Sequence, residues 1–257
     1  MKTNGKLWLI GGTGDSAKIA KIITNNFFPC IATATTSQAI DLYKEAPKIN
    51  LRIGRLSTKD IRNFCYQEKI KGIIDASHPF AENISQQAIS IAQSSGIPYI
   101  NYQRSSLPID SQITYLDSLE TLIEKEYLTN KRVLLTIGCK FLPMFKLWHE
   151  KSLLFTRILP RLSSLEIALA AGFKEKHIIS LRPPINLELE KAIWEQWKID
   201  IVVTKASGKQ GGEDIKKKVS KILGTSLIII QRPSINYPKS TEQISDIINF
   251  CSQCLNQ

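Results

Sequence analysis

The chain reads as an α/β protein with parallel sheets. Short apolar runs, each the length of one buried strand, recur from end to end, and segments with helical apolar spacing alternate with them. No run approaches the roughly 20 apolar residues of a membrane span. Alternation of this kind implies parallel sheets covered by helices on both faces. At 257 residues the chain has room for one or two domains. A polar stretch at residues 103–111 with Pro108 reads as a crossing, which divides the chain into a first domain, 1–103, and a second, 104–257.

In the first part, strands are predicted at residues 7–10, 30–34, 49–53, 72–75 and 98–101, and helices near 15–25, 57–69 and 81–94. The first strand runs into Gly11-Gly12-Thr13-Gly14-Asp15-Ser16-Ala17. Gly12, Gly14 and Ala17 have the G-x-G-x-x-G/A spacing of a dinucleotide turn. Glycine permits the sharp turn and lets a pyrophosphate approach the peptide plane. A small residue at 17 lets helix and strand pack closely, and the first N–H groups of the helix face the anion. Gly12, Thr13, Gly14, Asp15 and Ser16 are the contacts this predicts, and the two domains are expected to be Rossmann-like with a cleft between them. A plain structural turn is the competing reading.

Sites for NAD usually end the second strand with an acid that holds the ribose 2′-hydroxyl. Here Thr35 and Thr36 stand at that point, with no acid before Asp41. A carboxylate would repel a 2′-phosphate and hydroxyls can donate to it, so NADP(H) is favoured. Arg52 and Arg55 are either phosphate partners or solvated arginines. The fourth strand leads into Asp75-Ala76-Ser77-His78-Pro79-Phe80-Ala81. Proline suits the first turn of a helix, so Asp75, Ser77, His78 and Pro79 are expected at the carboxyl edge of the sheet, where open α/β sheets bind ligands.

The second part predicts strands at residues 113–116, 133–137, 152–157, 177–180, 199–204 and 226–231. One helix puts Leu189, Ile193 and Trp197 on a single face, with Trp194 and Trp197 in the core. The strand ending at Thr204 enters Lys205-Ala206-Ser207-Gly208-Lys209-Gln210-Gly211-Gly212, which lacks the Walker spacing and reads as an anion clamp, with a solvated loop as the competing reading. Lys216, Lys217, Lys218 and Lys221 beyond it read as a solvated face.

The five cysteines are odd in number and scattered, so no disulfide framework is expected. Cys251-x-x-Cys254 lies on or beside an apolar stripe of Ile244, Ile247, Ile248, Cys251 and Leu255, which favours a buried face over a redox or metal pair. His78, His149 and His177 do not group with cysteines or acids, so no protein-bound metal is expected. The N-terminal apolar stretch is too short for a signal peptide, which predicts a cytoplasmic protein. The net charge is +11. It is shared between both halves and suits nucleic acid, an anionic membrane or a polyanionic small molecule, with a lysine-rich composition that has no particular ligand as the competing reading. Basic–aromatic interleaving and a helix-turn-helix pattern are missing, so nucleic acid is not expected, and the short apolar runs give no expectation of a membrane.

The Asp75–Ala81 heptapeptide closely resembles the D-A-[TS]-H-P-F-A signature of the precorrin-6A reductase family, which includes the cobalt-precorrin-6A reductases. Gly11-Gly12-Thr13-Gly14-Asp15-Ser16 resembles that family's G-G-T-x-[ED] turn. Thr136-Ile137-Gly138, Arg182-Pro183-Pro184 and Val203-Thr204-Lys205-Ala206-Ser207-Gly208 resemble its later signatures. The order and spacing agree along nearly the whole chain. Thr35-Thr36-Ser37-Gln38 and Ile53-Gly54-Arg55-Leu56-Ser57 depart from the family pattern, which leaves NADPH and NADH both open.

The resemblance implies hydride transfer from NADPH (or NADH) to the precorrin-6A or cobalt-precorrin-6A macrocycle in cobalamin biosynthesis, without flavin. His78 and Lys205 are the candidate proton donors. Arg104, Arg157, Arg182, Lys205, Ser207 and Gly208 are the candidate contacts for the carboxylates of an anionic tetrapyrrole, since arginine pairs carboxylate bidentately. A non-enzymatic NADP(H)-binding sensor or scaffold is the reading from another class. The oligomeric state is left open.

Overall fold

A computed structural model describes residues 5–256. The chain forms two compact units: one takes it up to Ser105 and again from Ser234 onward, and the other is Ser106–Pro233. The first unit contains β1 (Lys6–Ile10), α1 (Gly14–Asn25), β2 (Cys30–Ala34), a 3₁₀ segment Ser37–Tyr43, β3 (Asn50–Ile53), α2 (Thr58–Gln67), β4 (Ile70–Asp75), α3 (Glu82–Ser95) and β5 (Tyr99–Tyr102). The second contains β6 (Thr114–Leu116), α4 (Leu119–Glu124), β7 (Arg132–Leu135), a 3₁₀ segment Cys139–Glu150, β8 (Leu153–Ile158), α5 (Leu162–Ala170), β9 (Ile178–Ser180), α6 (Leu187–Gln196), β10 (Ile201–Lys205), α7 (Glu213–Leu223) and β11 (Ser226–Ile230). The chain then returns to the first unit with β12 (Ser240–Thr241) and α8 (Ile244–Leu255).

Both sheets are parallel throughout, as the alternation predicts. Their orders are β12-β5-β4-β1-β2-β3 and β6-β11-β10-β7-β8-β9. In each, five consecutive strands follow the doubly wound order 3-2-1-4-5, and a sixth strand is added beside the fifth. That strand comes from the C-terminal end of the chain in the first unit and from just ahead of β7 in the second. Successive crossovers therefore diverge between β1 and β4 in one unit and between β7 and β10 in the other.

The period of two along β1 sorts its side chains to two faces. Leu7 and Leu9 join Ile19 and Ile23 of α1 and Ile247, Phe250 and Cys251 of α8. Trp8 and Ile10 join Ile61 and Phe64 of α2 and Ala88 and Ile91 of α3. The Trp8 indole N–H donates to Thr33 Oγ1 at 2.9 Å, so the buried ring leaves no orphan donor. Gly72 lets α8 come close to β4, since a Cβ there would lie 2.7 Å from Cys254 Sγ.

Three expectations are revised. The sequence reading puts everything after residue 103 in the second domain, whereas the segment from Ser234 onward packs on the first sheet. Its strand is two polar residues long, too short to leave an apolar run. The inward face of α8 is Ile247, Phe250, Cys251 and Cys254, rotated from the predicted stripe so that both cysteines enter the core. On α6 Leu189 is exposed and Glu190 is buried with Ile193 and Trp194, because Glu190 meets a buried arginine. Trp197 is half-buried and stacks on Phe155. In addition, α3 starts at Glu82, so Pro79 sits in the turn ahead of the helix.

Burial pushes the thiols of Cys65 and Cys254 up to about 11 and that of Cys251 to about 12, with Cys30 raised further. A disulfide-forming thiol reagent at mildly alkaline pH is therefore expected to label half-buried Cys139 in the native protein, and all five cysteines only after unfolding. Prompt native-state labelling of Cys251 or Cys254 would show that α8 does not dock as described.

Candidate functional site

The divergence of β1 and β4 opens a crevice at the carboxyl edge of the first sheet, and the glycine turn sits there. Three glycines do different work. A Cβ on Gly11 would lie 2.0 Å from Tyr43 Oη, so Gly11 makes room for that ring. Gly12 has φ +95°, a turn few other residues tolerate. A Cβ on Gly14 would meet nothing within 4 Å, so this face of the turn stays open.

The turn is held from inside. Thr13 caps α1: its Oγ1 accepts from Ser16 N at 3.1 Å, and its own N–H donates to Ser16 Oγ at 3.0 Å. Thr13 Oγ1 also donates to Ala76 O at 2.9 Å, which ties the loop after β1 to the loop after β4. Tyr43 Oη accepts from Gly12 N at 3.1 Å and lies 2.8 Å from Ser16 Oγ, and burial raises its pKa. Thr13 and Ser16 thus shape the turn. The N–H groups of Gly14 and Asp15, at the start of α1, have no i−4 acceptor in the helix. Asp15 accepts from Arg104 Nε at 2.5 Å, with both side chains under a tenth exposed.

That pair corrects the expected place of Arg104. It lies two residues beyond β5, still in the first unit, and is turned to the acid of the glycine helix. Thr35 is exposed and Thr36 half-buried at the end of β2. Arg52 and Arg55 are exposed, and the Arg52 guanidinium lies over the Phe64 ring.

Asp75 is also placed differently from the expectation. It is 0% exposed and cannot face a ligand. Its carboxylate accepts from Ser77 N at 3.0 Å, Ser85 Oγ at 2.6 Å and Tyr99 Oη at 2.6 Å. Burial and the Asp75 charge push the Tyr99 phenol well above its usual range. Asp75 thereby holds the loop that carries half-buried Ser77 and Pro79 and exposed His78. His78 Nδ1 accepts from Phe80 N at 3.2 Å, which leaves the proton of a neutral ring on Nε2.

The second switch point repeats the device. Thr136, just past β7, donates from N and Oγ1 to Val203 O of β10 at 2.9 and 3.1 Å. Gly138 has φ +88° and open space where a Cβ would be, and Gly208 has φ +70°. A Cβ on Gly211 would lie 1.8 Å from Ser207 Oγ, so the loop closes on buried Ser207. Lys205 Nζ lies 3.7 Å from the centre of the Phe141 ring.

The clamp differs from its sequence reading. The Gly208 N–H donates to buried Glu213 Oε2 at 2.9 Å, so the chain's own carboxylate takes that donor. Lys216 is not solvated. It is 2% exposed, and its Nζ donates to Gly211 O and Gly212 O at 3.3 and 3.2 Å. Arg157 is likewise turned inward: its Nη1 meets Glu190 Oε2 at 2.5 Å, and Glu190 Oε1 accepts from Trp194 Nε1 at 3.0 Å. Arg182 is exposed just after β9. Sequence reading places Gly11 in the turn but misses its role of making room for Tyr43, and misses Tyr43 itself; the doubled glycine is the one signal that points to them.

Among the described residues, no three His, Cys, Asp or Glu side chains gather as a metal site needs. Among the same residues no helix is long and apolar enough to cross a membrane.

Two doubly wound parallel sheets, each with a glycine turn at its switch point, define the class as Rossmann-like α/β. Residues 6–252 match the family described as precorrin-6x reductase CbiJ/CobK. The chain is 42% identical over 252 residues to a cobalt-precorrin-6A reductase of Synechocystis sp., covering 97% of each. It is 34% identical over 253 residues to a cobalt-precorrin-6A reductase of Priestia megaterium, covering 94% of this chain and 96% of that one. The solved structure of CobK precorrin-6A reductase shares the fold, with a TM-score of 0.79 over 97% of each chain at 19% identity. The chain belongs to the precorrin-6x reductase CbiJ/CobK family and is an oxidoreductase.

Burial lowers Lys216 from its ordinary 10.5 to about 8, with Arg157 adding to the effect and the nearby acids opposing it. Between those values the unfolded chain holds the extra proton, so this residue makes stability rise with pH. Relative to a Lys216→Met variant, the wild type should gain up to about 1.4 kcal/mol per pH unit above pH 8 in denaturant titrations. A pH-independent difference would mean that Lys216 is solvated after all.

Proposed function

We propose that this protein reduces cobalt-precorrin-6A by hydride transfer from NADPH, in the building of the corrin ring of cobalamin. The observation that carries the nucleotide half is the turn at the first switch point, open at Gly14 and tied across the crevice by Thr13 and Ala76. An open glycine at a helix start fits a pyrophosphate. When bound, the nicotinamide supplies the hydride. The chain's own groups bind and orient. The first N–H groups of α1 face the pyrophosphate, and Gly12 lets the backbone make its turn. Asp15 would repel that anion, but Arg104 neutralises it.

Thr35 and Thr36 donate to the 2′-phosphate, with Arg52 and Arg55 next along the edge; the lack of an acid at the end of β2 supports NADPH over NADH. His78, its tautomer set by Phe80, is the proton donor we favour, with Lys205 as the other candidate. In the second unit, Arg182 and Lys205 face the macrocycle's carboxylates, and buried Ser207 and Gly208 shape the loop beside them. Glu213 already holds the Gly208 N–H, so the cations do most of that work. The name carried by both relatives supports the cobalt-loaded substrate.

Adding cobalt-precorrin-6A to the anaerobic protein with NADPH should discharge nicotinamide absorbance in proportion to the macrocycle added. Gly14→Leu should weaken NADPH binding about tenfold or more, about 1.4 kcal/mol, with an unchanged melting temperature. No macrocycle-dependent oxidation of either nicotinamide would favour a sensor. Unchanged affinity in the variant would make the turn purely structural.

A further inference from the structure

Arg161 is a residue whose place the stability of the fold does not explain. It is the N-cap of α5, with φ −136° and ψ 139° and no side-chain cap bond. Serine, threonine, aspartate and asparagine stabilise that position by accepting from the helix, and arginine has nothing to accept with. A cation there also sits at the positive end of the helix dipole. Independently, Arg161 Nε is buried and has no hydrogen-bond partner. A buried guanidinium donor left unbonded is costly, so the group is built for an acceptor that the folded chain does not itself supply.

Its position says which acceptor. Arg161 follows β8 by three residues, on the carboxyl edge of the second sheet. Strands β10, β7, β8 and β9 are adjacent in that order and parallel. Their carboxyl ends carry Lys205, the open turn at Gly138, Arg161 and Arg182. Three strand spacings separate the first from the last, about 14 Å. The first turn of α5 also reaches the Gly138 turn, since Cys139 Sγ donates to Ser164 Oγ at 3.6 Å. Leu162, next to Arg161, is 73% exposed. A row of cations with an uncovered apolar side chain among them suits a ligand that is apolar in the middle and acidic at the rim.

We propose that Arg161 binds a carboxylate of the macrocycle, in the role the sequence assigned to Arg157. The proposal rests on the reading that the second unit takes the tetrapyrrole. Arg161 as a whole is half-buried, not sealed off, and its guanidinium offers a planar fork to the carboxylate.

The test uses Arg161→Gln and Arg161→Lys, which keep much of the bulk, with cobalt-precorrin-6A as the probe. Two quantities are read: direct binding of the macrocycle by absorbance titration, and the KM for macrocycle and for NADPH in turnover. Arg161→Gln should weaken macrocycle binding and raise its KM about 10- to 100-fold, as expected for losing hydrogen bonds to a charged group. The KM for NADPH and the melting temperature should stay as in the wild type, and Arg161→Lys should recover part of the loss. A folded Arg161→Gln protein that binds the macrocycle as tightly as the wild type overturns the assignment. A wild type that binds no macrocycle at all overturns the underlying reading, and the role of Arg161 with it.

Discussion

Parallel pairing of one central strand on both sides is the constraint from which the rest follows. β1 lies between β2 and β4, with Leu7 opposite Cys30 on one side and Gly72 on the other. A parallel neighbour can be reached only through a crossover, and crossovers are right-handed. Those leaving toward β2 and those arriving at β4 therefore occupy opposite faces, and the helix clusters on the two faces of β1 show this. The loops at the carboxyl ends must part, and a crevice remains that no helix can fill. Sheet geometry makes the space, and chemistry then needs only small residues and a few donors at its rim.

Those rims are held by buried polar groups. Asp75 collects three donors beneath the His78 loop, and Thr13 spans to the Ala76 carbonyl. In the second unit the Arg157–Glu190 ion pair supports the strand ends, while Glu213 and Lys216 each bond the backbone of the glycine loop. Buried ion pairs of this kind add little net stability, yet removing one partner costs about 3–5 kcal/mol because the other is stranded. Their effect is to allow one loop conformation. A group that binds ligands must be set before the ligand arrives, since ordering a loop at that moment subtracts from affinity.

The sheets were legible because apolar runs bounded by glycine and polar turns have few other solutions. The apolar pattern gives β2 its observed bounds, and the other long strands theirs to within about two residues. The glycine turn and the edge position of His78 were legible for the same reason. The fates of individual charges were not. Arg104 finds Asp15 across 89 residues of chain, and Arg157 finds Glu190 across 33. No local pattern announces such pairings. Lys216 and Glu190 sit on helices whose neighbours look solvated, and their burial depends on partners on other elements. The return of the C-terminal segment was hidden because two polar residues carry its strand.

The central claim is that the first unit's switch point takes the nicotinamide nucleotide. Hydrogen exchange of the whole protein, with and without NADPH, tests it most directly. Protection should appear in peptides covering residues 11–17, 35–37 and 76–81, and little elsewhere. Protection confined to residues 136–139 and 206–212 would put the nucleotide on the second sheet and contradict the account.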